Sequence, residues 1–250
     1  MPLQPAWCKV VLFKQKMRYR KFFRLSTTME TMNQFQSHPQ KHDFQVERII
    51  LFSDAVFAIA ITILVVELKV PLVSKSASEL DFWQEFSKQI PQILGLVLSF
   101  FLIGIYWTVH HSMFGYVINY TRKLLWLNLT FLFTIAIMPF TTAIYSEYSA
   151  TEGHAELVGP YSIYVFNICL TGLMNFILLD YIANPHNKIS EFVPHNYAKY
   201  GKIRAVITPV VFMISLLVSV IEPGISRLLL FLIPVAMAYI GWIIKRINKI

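Results

Sequence analysis

Apolar residues gather in six stretches, each close to the roughly 20 residues that a helix needs to cross a bilayer. They run Ile49–Val70, Ile90–His110, Leu124–Tyr145, Tyr161–Tyr181, Ile203–Ile221 and Ile225–Ile244. Residues 182–202, between the fourth and fifth stretches, are polar and carry Pro185, Pro194 and Gly201, so they read as a loop. The pattern predicts an all-α integral membrane protein with six transmembrane helices per chain. No internal repeat and no second soluble domain is evident. The expected organisation is a basic cytoplasmic tail over residues 1–43, a six-span domain over 44–246 and a cytoplasmic end over 247–250. The first 30 residues are basic, with Phe22, Phe23 and Leu25 between the charges. They read as a disordered tail, with an amphipathic helix on anionic lipid as the alternative. Met29 and Met32 also precede the first span, which leaves the true start open.

Composition agrees with this pattern. Hydrophobic residues make up 56% of the chain, charged residues 14%, and the mean hydropathy is +0.54. A soluble domain carries about 25% charged residues. The opening residues hold no uninterrupted apolar run of the signal-peptide kind. Cys8 and Cys169 suggest neither a disulfide framework nor a zinc site. The net charge of +8 raises the question of a nucleic-acid partner, but the cations flank the spans instead. Eighteen of the 22 Lys and Arg residues fall on one side of the predicted topology, and only Lys69, Lys75, Lys88 and Arg227 on the other. The positive-inside rule then places both termini in the cytoplasm of a multi-pass protein. The opposite loops carry Glu79, Asp81, Glu85, Glu147, Glu152 and Glu156, which can raise the local cation concentration at an outer mouth.

The candidate chemistry starts at Phe52-Ser53-Asp54. Asp54 lies about a turn and a half inside the first span. An ionised carboxylate deep in a span costs roughly 2.5–3.5 kcal/mol on insertion scales and is by default a functional hypothesis. Arg48, Ser53 and Asp54 near the inner end of span one fall at the level of Trp107, His110 and His111 at the end of span two. Asn128 enters at the same depth in span three. Polar groups in lipid must pair with one another. The economical reading is an interhelical network in which Ser53 and Asp54 accept from His110 or Trp107 and from Asn128, with Arg48 compensating the carboxylate. A cation/proton transporter using Asp54 and His110 is an alternative, as is a membrane-embedded metal enzyme using His110, His111 and Asp54. Adjacent histidines project about 100° apart on a helix, so both rarely reach one ion.

A second feature of span one is its apolar face. At about 100° per residue, Ala55, Thr62, Ile63 and Val66 all fall within about 60° of Ile59, whereas Asp54 points largely away. Such a helix can turn its apolar face toward a symmetry axis while its polar end is pinned by its neighbours. Packing in a bundle, or contact with lipid, explains the same periodicity.

The string Arg48-Ile-Ile-Leu-Phe52-Ser53-Asp54, then Ala-Ile-Ala-Ile-Thr and Glu67-Leu-Lys-Val-Pro71, resembles the signature of the transmembrane protein 175 family of potassium channels. Tyr106-Trp107-Thr-Val-His110-His111, Leu127-Asn128-Leu and Met138-Pro139-Phe140-Thr follow in the expected order. The resemblance covers residues 44–245, and the single six-span set resembles the prokaryotic members; animal members carry two sets in one chain. It implies a potassium-selective cation channel and not an enzyme, with no cofactor, in a prokaryotic inner or plasma membrane. It further implies a homotetramer whose first spans line a central pore. The Thr-Val-Gly-Tyr-Gly filter of ordinary potassium channels is missing from the sequence. The resemblance places the constriction at Ile59, further apolar layers at Ile63 and Val66, and a hydroxyl layer at Thr62. No resident metal is implied, only potassium in transit.

Overall fold

The computed structural model describes residues 40–74, 76–150 and 157–222, with Ser226 and Tyr239. The basic tail, most of the sixth predicted span, Cys8 and the carboxy-terminal end lie outside the described residues. From Val46 onward the described residues belong to one compact unit.

The described residues form six α-helices and one short 3-10 turn: α1 (Gln40–Val66), α2 (Glu79–Lys88), α3 (Ile90–Phe114), α4 (Arg122–Ala150), α5 (Val158–Ala183), the turn Pro185–Asn187 and α6 (His195–Ser219). Five of the helices are long and apolar enough to cross a membrane, namely all but α2. They correspond to the first five predicted spans. Helix α1 stops four residues short of the expected Val70. Its last turns close through Glu67 N–H to Ile63 O (3.3 Å) and Leu68 N–H to Val65 O (3.2 Å). Beyond them, Pro71 disfavours helical backbone at Val70.

Two features depart from the expected loops. The segment read as an acidic outer loop contains helix α2. Its start is a capping box: Asp81 N–H donates to Ser78 Oγ (3.3 Å), while Ser78 N–H donates to Asp81 Oδ2 (2.7 Å). The Ser78 backbone N–H first, and second its hydroxyl, which donates to the same Oδ2 at 2.8 Å, hold the Asp81 carboxyl below its ordinary pKa. The second departure is at 182–202, where the expected loop ends early because α6 begins at His195, directly after Pro194. Proline removes a donor that a helix start does not need.

Helices α3 to α6 pack in sequence, each against the next. Where α5 crosses α6, a Cβ on Gly172 would lie 2.3 Å from Pro209 Cγ and 2.9 Å from Ala205 O, so only glycine fits the crossing. Buried hydroxyls link the helices as well. Ser99 Oγ lies 2.8 Å from both Thr142 Oγ1 and Tyr164 OH, and Tyr161 OH lies 2.7 Å from Ser215 Oγ. Asn167 donates to Thr134 O across α5 and α4 (3.2 Å). At the end where α3 turns into α4, Ile118 N–H and Asn119 N–H both donate to Ile189 O (2.9 and 3.1 Å), which ties that turn to the segment between α5 and α6.

Candidate functional site

Helix α1 joins the bundle through one stripe of side chains. Ser53, Phe57, Ala60 and Leu64 are spaced 4, 3 and 4 residues apart and are all buried. That spacing is the signature of one helix face turned to a core. The opposite face carries Ala55, Ile59, Thr62, Ile63 and Val66, all of them exposed. Ile59 is 58% exposed, Ile63 39% and Val66 79%. Among the described residues Ile59, Ile63 and Val66 are large apolar side chains left exposed, Ile63 the least so. Thr62 Oγ donates to Ile59 O (2.8 Å), so its proton is committed to the backbone and its lone pairs are left as acceptors.

The polar end of α1 meets α3 and α4 through a directed chain of hydrogen bonds. Ser53 Oγ donates to Ile49 O (2.8 Å). With its one proton spent there, Ser53 can only accept from Asn128, whose Nδ2 donates to it at 3.0 Å. The amide orientation leaves Asn128 Oδ1 facing His110 Nε2 at 2.9 Å, and the imidazole must therefore donate. Three helices are thereby joined, from the α3 imidazole through the α4 amide to the backbone of α1. The His110 ring is boxed by Phe114 (4.2 Å between centroids), Phe57 (5.5 Å) and Phe131 (5.8 Å). Its Nδ1 is buried and has no hydrogen-bond partner among the described residues.

Asp54 belongs to a separate contact. It accepts from Trp107 Nε1 at 2.9 Å. No direct hydrogen bond joins Asp54 to His110, so the single network read from the sequence divides into two branches. The cause is helical geometry: Ser53 and Asp54 project about 100° apart and meet different partners. Trp107 reaches Asp54 directly, whereas His110, three residues on, reaches Ser53 only through Asn128. The same separation parts the two histidines. His110 is buried, whereas His111 is exposed and lies beside Trp107 (5.7 Å between ring centroids). Among the described residues no three His, Cys, Asp or Glu side chains group as metal ligands. Arg48 and Phe52 are exposed on α1.

At the far end of α1 lies a junction that sequence reasoning missed. Lys69 Nζ meets Glu147 Oε1 at 2.7 Å, and buried Gln92 donates to Glu147 Oε2 at 2.8 Å. One carboxylate thus ties the end of α1 to α3 and α4. The partners lie 78 and 55 positions from Glu147, and no local pattern marks them.

This arrangement can be set beside known proteins. The model of the family described as "Endosomal/lysosomal potassium channel TMEM175" matches residues 48–139, a range that includes both branches of the network and the whole exposed face from Ile59 to Val66. A potassium channel from Chryseobacterium sp. is 30% identical over 204 residues, which is 81% of this chain and 95% of that one. A potassium channel from Streptomyces collinus is 43% identical over 101 residues, and there the match spans 48% of the relative's length. The crystal structure of a lysosomal potassium-selective channel TMEM175 homolog from Chamaesiphon minutus superposes with a TM-score of 0.65 at 25% identity, covering 78% of this chain and 97% of that one. The relationship holds across nearly the full length of one relative and in the fold of another, and this chain belongs to the TMEM175 family.

Proposed function

We propose that this protein is a potassium-selective cation channel in which four identical chains place α1 around a central pore. The observation that carries the reading is the uncovered apolar face of α1, opposite a stripe that the chain buries. One chain supplies one such wall, so closing a pore takes several. Ile59 then forms the constriction, Ile63 and Val66 wider apolar layers, and Thr62 a ring of hydroxyl oxygens beside the narrowest point. An apolar ring gates by dewetting, because water and a hydrated ion gain nothing from its walls. A cation passing it keeps part of its shell or takes oxygens from next to the ring. Thr62 suits that role because its proton already points to Ile59 O. Potassium surrenders water more readily than sodium, and a tight apolar ring therefore favours potassium.

Arg48, Phe52, Ser53, Asp54, Trp107, His110 and Asn128 act as the frame that fixes the rotation of α1. A proton relay from Asp54 through His110 lacks a direct link between the two, which favours the channel over a cation/proton transporter. Residues 44–246 form the channel domain. The tail over 1–43 and the end over 247–250 face the cytoplasm, and the protein sits in a prokaryotic inner or plasma membrane. The test is ion flux from purified protein in liposomes under opposed potassium and sodium gradients. The expected result is a large uncoupled conductance with a reversal potential close to that of potassium. Slow, saturating flux that moves protons in fixed ratio would replace the channel by a transporter.

A further inference from the structure

Among the described residues no side chain of α2 is fully buried; Trp83 is exposed, and Phe82 and Phe86 are half-buried. At about 100° per residue, Phe82, Trp83 and Phe86 fall within one arc of about 100°, which Glu79 shares only at the first residue of the helix, and Asp81, Gln84, Glu85 and Lys88 fall on the opposite side. The three rings touch one another, with centroids 5.4, 5.8 and 6.2 Å apart. They form a continuous aromatic surface with Trp83, 59% exposed, at its outer edge. The opposite side is polar, and Lys88 pairs there with Glu85 at 2.8 Å. Position restricts what this surface can meet. A single residue, Gln89, is at once the last cap of α2 and the first cap of α3, and the apolar α3 starts at Ile90. A helix of 10 residues is about 15 Å long, and α2 ends one residue before the span, so its last turn, with Phe86, lies beside the end of α3. The connector from α1 reaches α2 through exposed Val70, Leu72 and Val73.

We infer that α2 is an interfacial lipid anchor: Phe82, Trp83 and Phe86 sit between the headgroups and acyl chains of the leaflet where α1 ends. Short amphipathic helices with Trp and Phe on one side lie in this plane, with their apolar face about 5–10 Å deep. Indole rings gather there because they combine an apolar body with one polar N–H. The capping box at Ser78 and Asp81 holds the start of α2 by local bonds alone. Asp81, Gln84, Glu85 and Lys88 face water. The inference rests on α1 and α3 spanning the bilayer, and it does not depend on which ion passes.

The experiment is tryptophan fluorescence in proteoliposomes containing phosphatidylcholine brominated at defined depths. Subtracting the Trp83→Phe signal isolates Trp83 from the other four tryptophans. Phe86→Trp in the Trp83→Phe background supplies a second reporter on the same face. The expected result for both reporters is quenching roughly twofold stronger by bromines near the carbonyl end of the acyl chain than by bromines near its terminus, as suits a ring about 5–10 Å deep. Quenching by aqueous iodide without quenching by bromolipid overturns the anchor and makes the face solvent-exposed. Protection from both quenchers also overturns it, because a second copy of the chain then covers the face. Potassium flux is read in the same vesicles. Flux with iodide-quenched Trp83 sinks the anchor alone, and bromolipid quenching without flux sinks the channel reading alone.

Discussion

At the residue scale, two sets of side chains on α1 have opposite sensitivities. Ile59 is exposed on the face of α1 opposite the stripe that the described residues bury. Ile59→Asn should therefore leave folding intact and wet the constriction. Conductance should rise, and the reversal potential under mixed potassium and sodium should move toward zero. Thr62→Val removes the hydroxyl that bonds Ile59 O, so selectivity should fall without a comparable rise in conductance. If Ile59→Asn changes neither quantity, α1 does not line the narrow part of the pore. The network residues behave in the other way. Asn128 gives a proton to Ser53 and receives one from His110, both in buried positions. Asn128→Asp keeps the shape and the acceptor but loses the donor, and it brings an unpaired charge into a low-dielectric site. A buried group left without its partner costs about 1–3 kcal/mol, more when charged. Thermal unfolding in detergent should show a clear loss for Asn128→Asp and a smaller one for Ser53→Ala, with the reversal potential unchanged in the protein that survives. A shifted reversal potential at full stability would move these residues from frame to filter.

At the element scale, Gly172, where α5 crosses α6, has the least room for a Cβ of the described glycines. Gly172→Ala would drive a methyl group into the Pro209 ring and toward Ala205 O, both at distances real side chains do not tolerate. Forcing such an overlap typically costs about 1–3 kcal/mol, which outweighs the roughly 1 kcal/mol that alanine gains over glycine within a helix. Gly104 on α3 is the contrast, since a Cβ there meets nothing within 4 Å in its own chain. The Gly172→Ala protein should unfold at a distinctly lower temperature than Gly104→Ala. Equal unfolding temperatures would mean that the helices can part at Gly172 without cost. Helix α2 is an element of another kind. Its Ser-x-x-Asp start was present in the chain as a capping signal, yet a segment this polar, with no apolar stripe of span length, reads first as an outer loop.

At the scale of the whole molecule, the prediction is stoichiometry. With α1 as the wall of a pore, the particle in mild detergent should scatter light as four chains of 29.0 kDa each, after subtraction of the detergent. A monomer that still conducts would end the architecture. Much of the fold was legible before any coordinates, because crossing a bilayer imposes its rule on each segment separately: about 20 apolar residues, all backbone groups satisfied inside one helix. That Ala55, Ile59, Thr62, Ile63 and Val66 share one face of α1 was legible for the same reason, since side chains three and four apart share a face wherever a helix forms, but that the bundle buries the opposite stripe of Phe57, Ala60 and Leu64 was not read from the sequence. The polar residues at one depth, Ser53, Asp54, Trp107, His110 and Asn128, could be gathered by counting turns from the span ends. Which of them pair could not, because that depends on the rotation of three helices about their own axes. Only the tertiary structure divided Asp54–Trp107 from Ser53–Asn128–His110 and gave the second branch its donor direction. It alone brought Lys69 and Gln92 to Glu147, and Pro209 against Gly172. Periodicity and capping act over about four residues and so can be read along the chain. Contacts between residues tens of positions apart depend on how the helices pack, and no single segment contains that information.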